Sequence, residues 1–211
     1  VKNFYEPDEA CQEIKIKRFV ADILRDGEVI EIQTRAFNNL RKKLDAFLPD
    51  YPVTVVHPII YQKNIHYIER ESGEIVEVRK SPKKGTAFDA FREIYKIKMY
   101  LKNENLSIVL LFVNAEEYRL LNKNPKYKKT RTERYDRIPT GLVGEMLLKS
   151  PEDYASILPE NLPEEFTVRQ LSKCAHITRG TAGIVANVMC DMGAIEHISN
   201  KGKAYIYRRK A

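Results

Sequence analysis

The sequence predicts a mixed α/β fold, with a mixed sheet flanked by helices, followed by a small C-terminal helical module that ends in a hairpin. Three observations lead there. Residues 12–60 read as strands interrupted by one amphipathic helical stretch. Residues 122–137 carry seven Lys/Arg, two acids and almost no aliphatic side chain, which suggests a basic linker or loop. From Pro151 the pattern turns helical and closes on two short strands. The expected organisation is therefore an α/β domain over 1–121, a basic connecting segment over 122–150 and a C-terminal module over 151–211.

Each element has its own signal. Gln12–Lys17 alternates as a strand does. Phe19–Leu24 and Glu28–Thr34 are rich in β-formers and flank Asp26-Gly27, a dipeptide suited to a hairpin turn whose two residues both need positive φ. Arg35–Leu48 places Phe37, Leu40, Leu44, Phe47 and Leu48 on one helical face. Val53–Ile60 reads as a buried strand after Pro49 and Pro52. A second hairpin joins Ile65–Ile68 to Ile75–Val78 around Ser72-Gly73, Thr86–Lys98 is helical, and Leu106–Val113 is a central strand.

Composition narrows the class. With 43% hydrophobic and 31% charged residues the chain is ordinary for a globular protein, and runs such as Ser107–Val113 fall far short of the ~20 residues a membrane helix needs. No charged-then-apolar leader is visible, and Cys11, Cys174 and Cys190 are too scattered for a disulfide framework or a zinc knuckle. A cytoplasmic setting without membrane contact is expected. The formal charge of +7 and pI near 9.2 favour a polyanionic partner.

Taking Asp26-Gly27 as a two-residue loop pairs Arg25 with Glu28, Leu24 with Val29, Ile23 with Ile30 and Asp22 with Glu31. Asp22 and Glu31 then form a non-hydrogen-bonded pair, with Cβ atoms about 4.5–5.5 Å apart. Gln33 points to the same side as Glu31. Two opposed carboxylates among apolar neighbours repel and resist burial, so something must offset the cost. A divalent cation does so; so does a shared proton or a neighbouring Lys or Arg, for which Lys15 and Lys17 are placed; a bulge would separate the acids instead.

Asp22 and the triplet Glu31-Ile32-Gln33, on strand, hairpin, strand, helix and strand in that order, resemble the core of the PD-(D/E)xK, or restriction-endonuclease-like, nucleases. Val20–Thr34 is similar to the matching hairpin of archaeal Holliday-junction resolvases. The resemblance spans Gln12–Ile60 and implies a restriction-endonuclease-like sheet. It also implies a Mg²⁺ (or Mn²⁺) site on Asp22 and Glu31, and metal-activated attack of water on a phosphodiester of DNA. Gln33 stands where the family has Lys, and the resemblance gives it the role of orienting that water. Ala21 replaces a common Pro, and Glu6, Glu9 and Glu13 are candidates for the acid that resolvases carry on their first helix. A homodimer fits cleavage of both strands. The alternative is a non-catalytic DNA-binding regulator on an inactive nuclease-like fold.

Lys83 and Lys84, in the basic turn Arg79–Gly85 ahead of the helix expected at Thr86, suit phosphate contact. In the C-terminal module, Thr167 and Gln170 are spaced as a capping box, Thr178 is placed to cap Arg179–Met192, and Gly193 to end it. Cys174 and Cys190 read as core, and His176 and His197 as packed or surface residues. A helix, a helix-turn-helix and a basic hairpin follow the order of a winged helix domain. In such a domain Arg179 and Thr181 would meet base edges while Lys201, Lys203, Arg208 and Arg209 contact phosphates.

Overall fold

The computed structural model describes residues 2–122 and 131–210, apart from the side chains of Asn3 and Lys201. They form a mixed α/β structure whose sheet is flanked by helices, arranged in two compact units. The first comprises residues 1–58, 87–110 and 146–211, the second residues 59–86 and 111–145.

The first unit opens with α1 (Lys2–Tyr5), a 3-10 turn at Glu9–Cys11, and strands β1 (Gln12–Ile16), β2 (Phe19–Arg25) and β3 (Glu28–Ile32) in an antiparallel meander. Asp26 and Gly27 have φ of 51° and 80°. With both turn residues left-handed, the turn's twist matches that of the strands. The register follows as expected: Arg25↔Glu28, Leu24↔Val29, Ile23↔Ile30. A 3-10 turn (Phe37–Leu40) runs into α2 (Arg41–Phe47), and all five apolar residues of the expected helical face are buried. The chain then enters β4 (Val53–Ile68), whose first half pairs parallel with β3, making the sheet mixed.

Between residues 87 and 100 the expected continuous helix is broken. A 3-10 turn (Ala87–Ala90), the single α-turn α3 (Phe91–Ile94) and a second 3-10 stretch (Tyr95–Tyr100) follow one another, with Ile97 outside helical geometry. So short an opening turn does not present the aligned N–H groups that the sequence suggests after Lys83 and Lys84.

The remainder of this unit spans residues 146–211. Helix α4 (Pro151–Ser156) starts with a capping box between Ser150 and Asp153, with Pro151 at its first position. Next come β8 (Glu165–Thr167), α5 (Val168–Cys174) with the expected Thr167–Gln170 capping box, and α6 (Arg179–Met192), capped by Thr178 and closed by Gly193 at φ 80°. Strands β9 (Ile195–Lys201) and β10 (Ala204–Arg209) pair antiparallel, and β10 also pairs with β8. Tyr154, Phe166, Leu171, Val185, Val188 and Met189 form the core of this module. Cys174 and Cys190 are half-buried free thiols rather than core, and His176 and His197 lie at the surface.

The second unit contains the far half of β4, β5 (Ile75–Lys80), the far half of β6 (Leu106–Leu121) and most of β7 (Thr132–Leu148). Strand β5 pairs antiparallel with β4, and Gly73 takes φ 73° in the turn before it. Of the expected connecting segment, residues 123–130 lie outside the described residues, whereas residues 132–148 are a strand of the sheet next to β6. Charge hid this strand. Its Arg and Glu side chains bond to β6 and to the turn after β4 rather than marking a solvated linker: Arg137 reaches Glu117, and Glu133 reaches Arg70.

Glu117 is fully buried in this unit. Lys63 donates to it at 2.6 Å, Arg119 at 2.7 Å and Arg137 at 2.9 Å. Burial alone would push the carboxyl up, but the hydrogen bonds from Lys63, Arg137 and Arg119 outweigh it and hold the pKa at about 2. The folded value lies below the ordinary 4.5, so the stabilisation is present above pH 4.5 and is lost as pH falls toward 2. It amounts to about 3 kcal/mol at neutral pH, at 1.36 kcal/mol per unit. Urea denaturation across this range should show wild-type stability falling through that window, while Glu117→Gln is weakened at pH 7 and flat over the same window.

Candidate active site

The β2–β3 hairpin carries both expected acids to one end of its ladder. The last backbone pair is Ile23↔Ile30, and beyond it Asp22 turns its side chain across, Oδ2 accepting from Ile32 N–H at 2.8 Å. Glu31, 2% exposed, continues the parallel register with Val55 on β4. Asp22 is less enclosed, with its side chain 29% exposed. The carboxylates are close enough for the Asp22 charge to act on Glu31.

The neighbouring cation is neither Lys15 nor Lys17. Lys17 is drawn off to Asp50 and the carbonyl of Ala46, and Lys15 is exposed. Instead Lys43, from the first turn of α2, donates to both Glu31 oxygens at 2.9 and 2.7 Å. Lys2 stands 3.9 Å from Asp22 Oδ1 and bonds Glu13 at 2.9 Å, so Glu13 is tied to the site through Lys2. Of the other candidate acids, Glu6 is buried and accepts from Asp8 N–H, and Glu9 is exposed. Lys43 is missing from the sequence reading because it lies 12 residues from Glu31 on another element. A signal exists in hindsight: it is one residue before Leu44, on the edge of the apolar face that packs α2 against the sheet.

Gln33 does not face the acids. Its amide donates to the carbonyl of Arg35, and its own carbonyl oxygen lies 2.8 Å from His57 Nδ1. The role of orienting water therefore has no support in its side-chain geometry. His57 is buried against Phe37, and burial holds its pKa below the ordinary value.

Oxygen ligands suit Mg²⁺, which takes one or two carboxylates and fills the rest of its shell with water and substrate oxygens. Lys2 approaches Asp22 Oδ1 only to 3.9 Å, and Glu31 adds a second hard oxygen. The donor set fits such an ion, at the cost of loosening one Lys43 contact. Among the described residues no cluster of three or more His, Cys, Asp or Glu is positioned for a metal.

The remaining expected residues do not converge on these acids. Lys84 lies over the Tyr61 ring at 5.3 Å, and Lys83 is exposed. Thr181 bonds Thr178 at 2.9 Å and accepts from Arg92 at 3.4 Å. Lys98 bonds Asn187 at 3.0 Å and Asp191 at 2.8 Å, so core residues occupy this side of α6. Arg208 pairs with Glu196, and Arg209 donates to the carbonyls of Leu158 and Pro159. Arg179 and Lys203 are exposed, while the Lys201 side chain lies outside the described residues.

Burial raises the Glu31 carboxyl more than the Lys43 hydrogen bonds and charge lower it, and Asp22 raises it further. A folded pKa above the ordinary 4.5 means that Glu31 stabilises the fold in acid and that this contribution is lost as pH rises through the folded value. Glu31→Gln should therefore match or exceed wild-type stability at pH 7, with the difference closing below pH 4.5. Lys43→Ala should cost about 3 kcal/mol at pH 7 by leaving a buried carboxylate without its bonded cation. Acidification should restore much of that loss, as chemical denaturation at the two pH values would reveal.

Comparison with known proteins places the chain without assigning chemistry. A protein of Treponema pallidum (strain Nichols), described as uncharacterized, is 27% identical over 216 residues, covering 100% of this chain and 83% of its own length. No solved structure matches. The family model described as "Domain of unknown function (DUF8091)" matches residues 1–149, taking in both acids, Lys43 and all of β7 and stopping just short of the Ser150 cap, and the chain belongs to that family.

Proposed function

We propose that the protein is a metal-dependent nuclease with a PD-(D/E)xK, restriction-endonuclease-like core and a C-terminal winged helix module. The observation that carries this reading is Lys43. Its ammonium sits 2.7 Å from the buried Glu31, beside Asp22, and supplies the cation that Gln33 lacks. Supporting it are the antiparallel β1–β2–β3 meander, the helix that follows and the parallel β3–β4 pair, the order of elements found in such cores.

In this reading Asp22 Oδ1 and a Glu31 oxygen would hold Mg²⁺ or Mn²⁺. A divalent ion there polarises a phosphoryl oxygen and offsets charge developing on the phosphate. Ile32 N–H fixes the Asp22 carboxylate by taking its other oxygen. Lys43 favours the ionised form of Glu31 against a burial that favours the neutral form, and its one remaining proton would be available to a bound phosphodiester. The winged helix reading rests on the order α4, β8, α5, α6 and the β9–β10 hairpin. DNA is the proposed substrate, and cleavage of both strands would engage two copies of the chain.

A second reading has its own observation. Both Glu31 oxygens are taken by Lys43 and the Gln33 amide points elsewhere, an arrangement that also suits a non-catalytic DNA-binding regulator.

Linear, supercoiled and branched DNA incubated with Mg²⁺, Mn²⁺ or EDTA separates the two. The nuclease reading expects metal-dependent cleavage that is abolished in Asp22→Ala and Glu31→Ala and slowed about 100-fold or more in Lys43→Ala, the scale of losing one transition-state donor. Binding without cleavage of any substrate would leave the regulator.

A further inference from the structure

Positive charge is ordered on one face of the sheet in the second unit, although its described residues carry only ten Lys and Arg against nine Asp and Glu. Along β4, Tyr61, Lys63, Ile65 and Tyr67 alternate onto the same side. Arg79 is opposite Ile65 on β5 and lies over the Tyr67 ring at 5.6 Å, with its Nε 3.0 Å from the tyrosine oxygen. Lys84 covers Tyr61. Lys63, Arg119 and Arg137 surround Glu117.

We infer that this tyrosine-bearing basic face binds the phosphodiester backbone of nucleic acid. Among the described residues, five cations are placed on it together with Glu117, sealed beneath three of them, and Glu77, opposite Tyr67 on β5. One carboxylate cannot neutralise three cations, so the Glu117 cluster keeps a net positive charge and presents guanidinium groups about one-third exposed. Held by a common carboxylate, these side chains lose less entropy on binding than free ones do. Arg79 and Lys84 are held in a different way, by stacking on tyrosine rings. Cations beside aromatic rings are the surface chemistry that tracks a nucleic-acid strand.

The C-terminal module is the weaker site on geometry. Helix α6 meets Arg92 and Lys98 of the core, and Arg208 and Arg209 are already bonded within the module. The inference adopts the substrate class proposed above but does not depend on cleavage.

The test is fluorescence anisotropy of labelled duplex DNA, single-stranded DNA and duplex RNA against the full chain in EDTA, over a range of KCl, with anionic phospholipid vesicles as a further arm. Arg79→Gln with Lys84→Gln removes two cations that hold no buried carboxylate. This variant should melt like wild type, bind at least about 10-fold more weakly, and lower the salt slope by about 2, near 0.9 per phosphate contact. Arg179→Ala with Lys203→Ala, on the C-terminal module, should weaken binding less than the Arg79→Gln, Lys84→Gln pair does. The reverse ranking would overturn the inference, as would wild-type binding with no salt slope, or binding of vesicles but not of any oligonucleotide. A variant that melts early is replaced by Arg79→Glu alone, with the same expectation of weaker binding. Metal-dependent cleavage is scored separately, so an inactive protein that still binds through this face removes the nuclease reading and leaves the inference standing.

Discussion

The placement of the candidate site depends on one two-residue turn. With Asp26 and Gly27 both at positive φ, β2 and β3 can pair in only one register, and a slip of one residue would turn Asp22 and Glu31 to opposite faces. The ladder then stops at Ile23↔Ile30 because the Asp22 side chain takes the next N–H, that of Ile32. A backbone constraint is thereby converted into a fixed carboxylate. The parallel pairing of β3 with β4 encloses Glu31, and α2, anchored by Leu44 and Phe47, brings Lys43 to it.

Two buried glutamates show how the number of partners decides the sign of a burial cost. Around Glu117, three cations more than offset desolvation, and the carboxyl is held at about 2. Around Glu31 a single bonded lysine does not, and the carboxyl stays above its ordinary value. The first arrangement is a structural brace within a sheet. The second leaves burial the larger influence, so a further cation beside Glu31 would lower its carboxyl.

The C-terminal module illustrates how local rules can hold while the exposure of a helix is decided by distant residues. Its caps, turns and hairpin form where the residues direct, because each depends on contacts within a few positions. The use of α6 depends on what faces it. Arg92 and Lys98 bond along α6 at the surface, so that side of the helix is already engaged by the 87–100 segment. In the second unit, stacked and carboxylate-held cations share a sheet face.

Much of the fold was legible in the residues alone. The Asp26-Gly27 hairpin, the buried face of α2, both Thr caps and the Gly193 stop follow from local backbone preference and side-chain period, and so does the juxtaposition of Asp22 with Glu31. Longer strands were not legible. The far halves of β4 and β6, and all of β7, are rich in charged and amide side chains that satisfy one another across strands, a pattern that a linear reading takes for loop. Only the tertiary structure decided that Lys43 rather than Lys15, Lys17 or Gln33 attends the acids, and that Glu117 gathers three cations. Those partners come from different elements, and their pairing is fixed by how helices and strands pack rather than by any spacing along the chain.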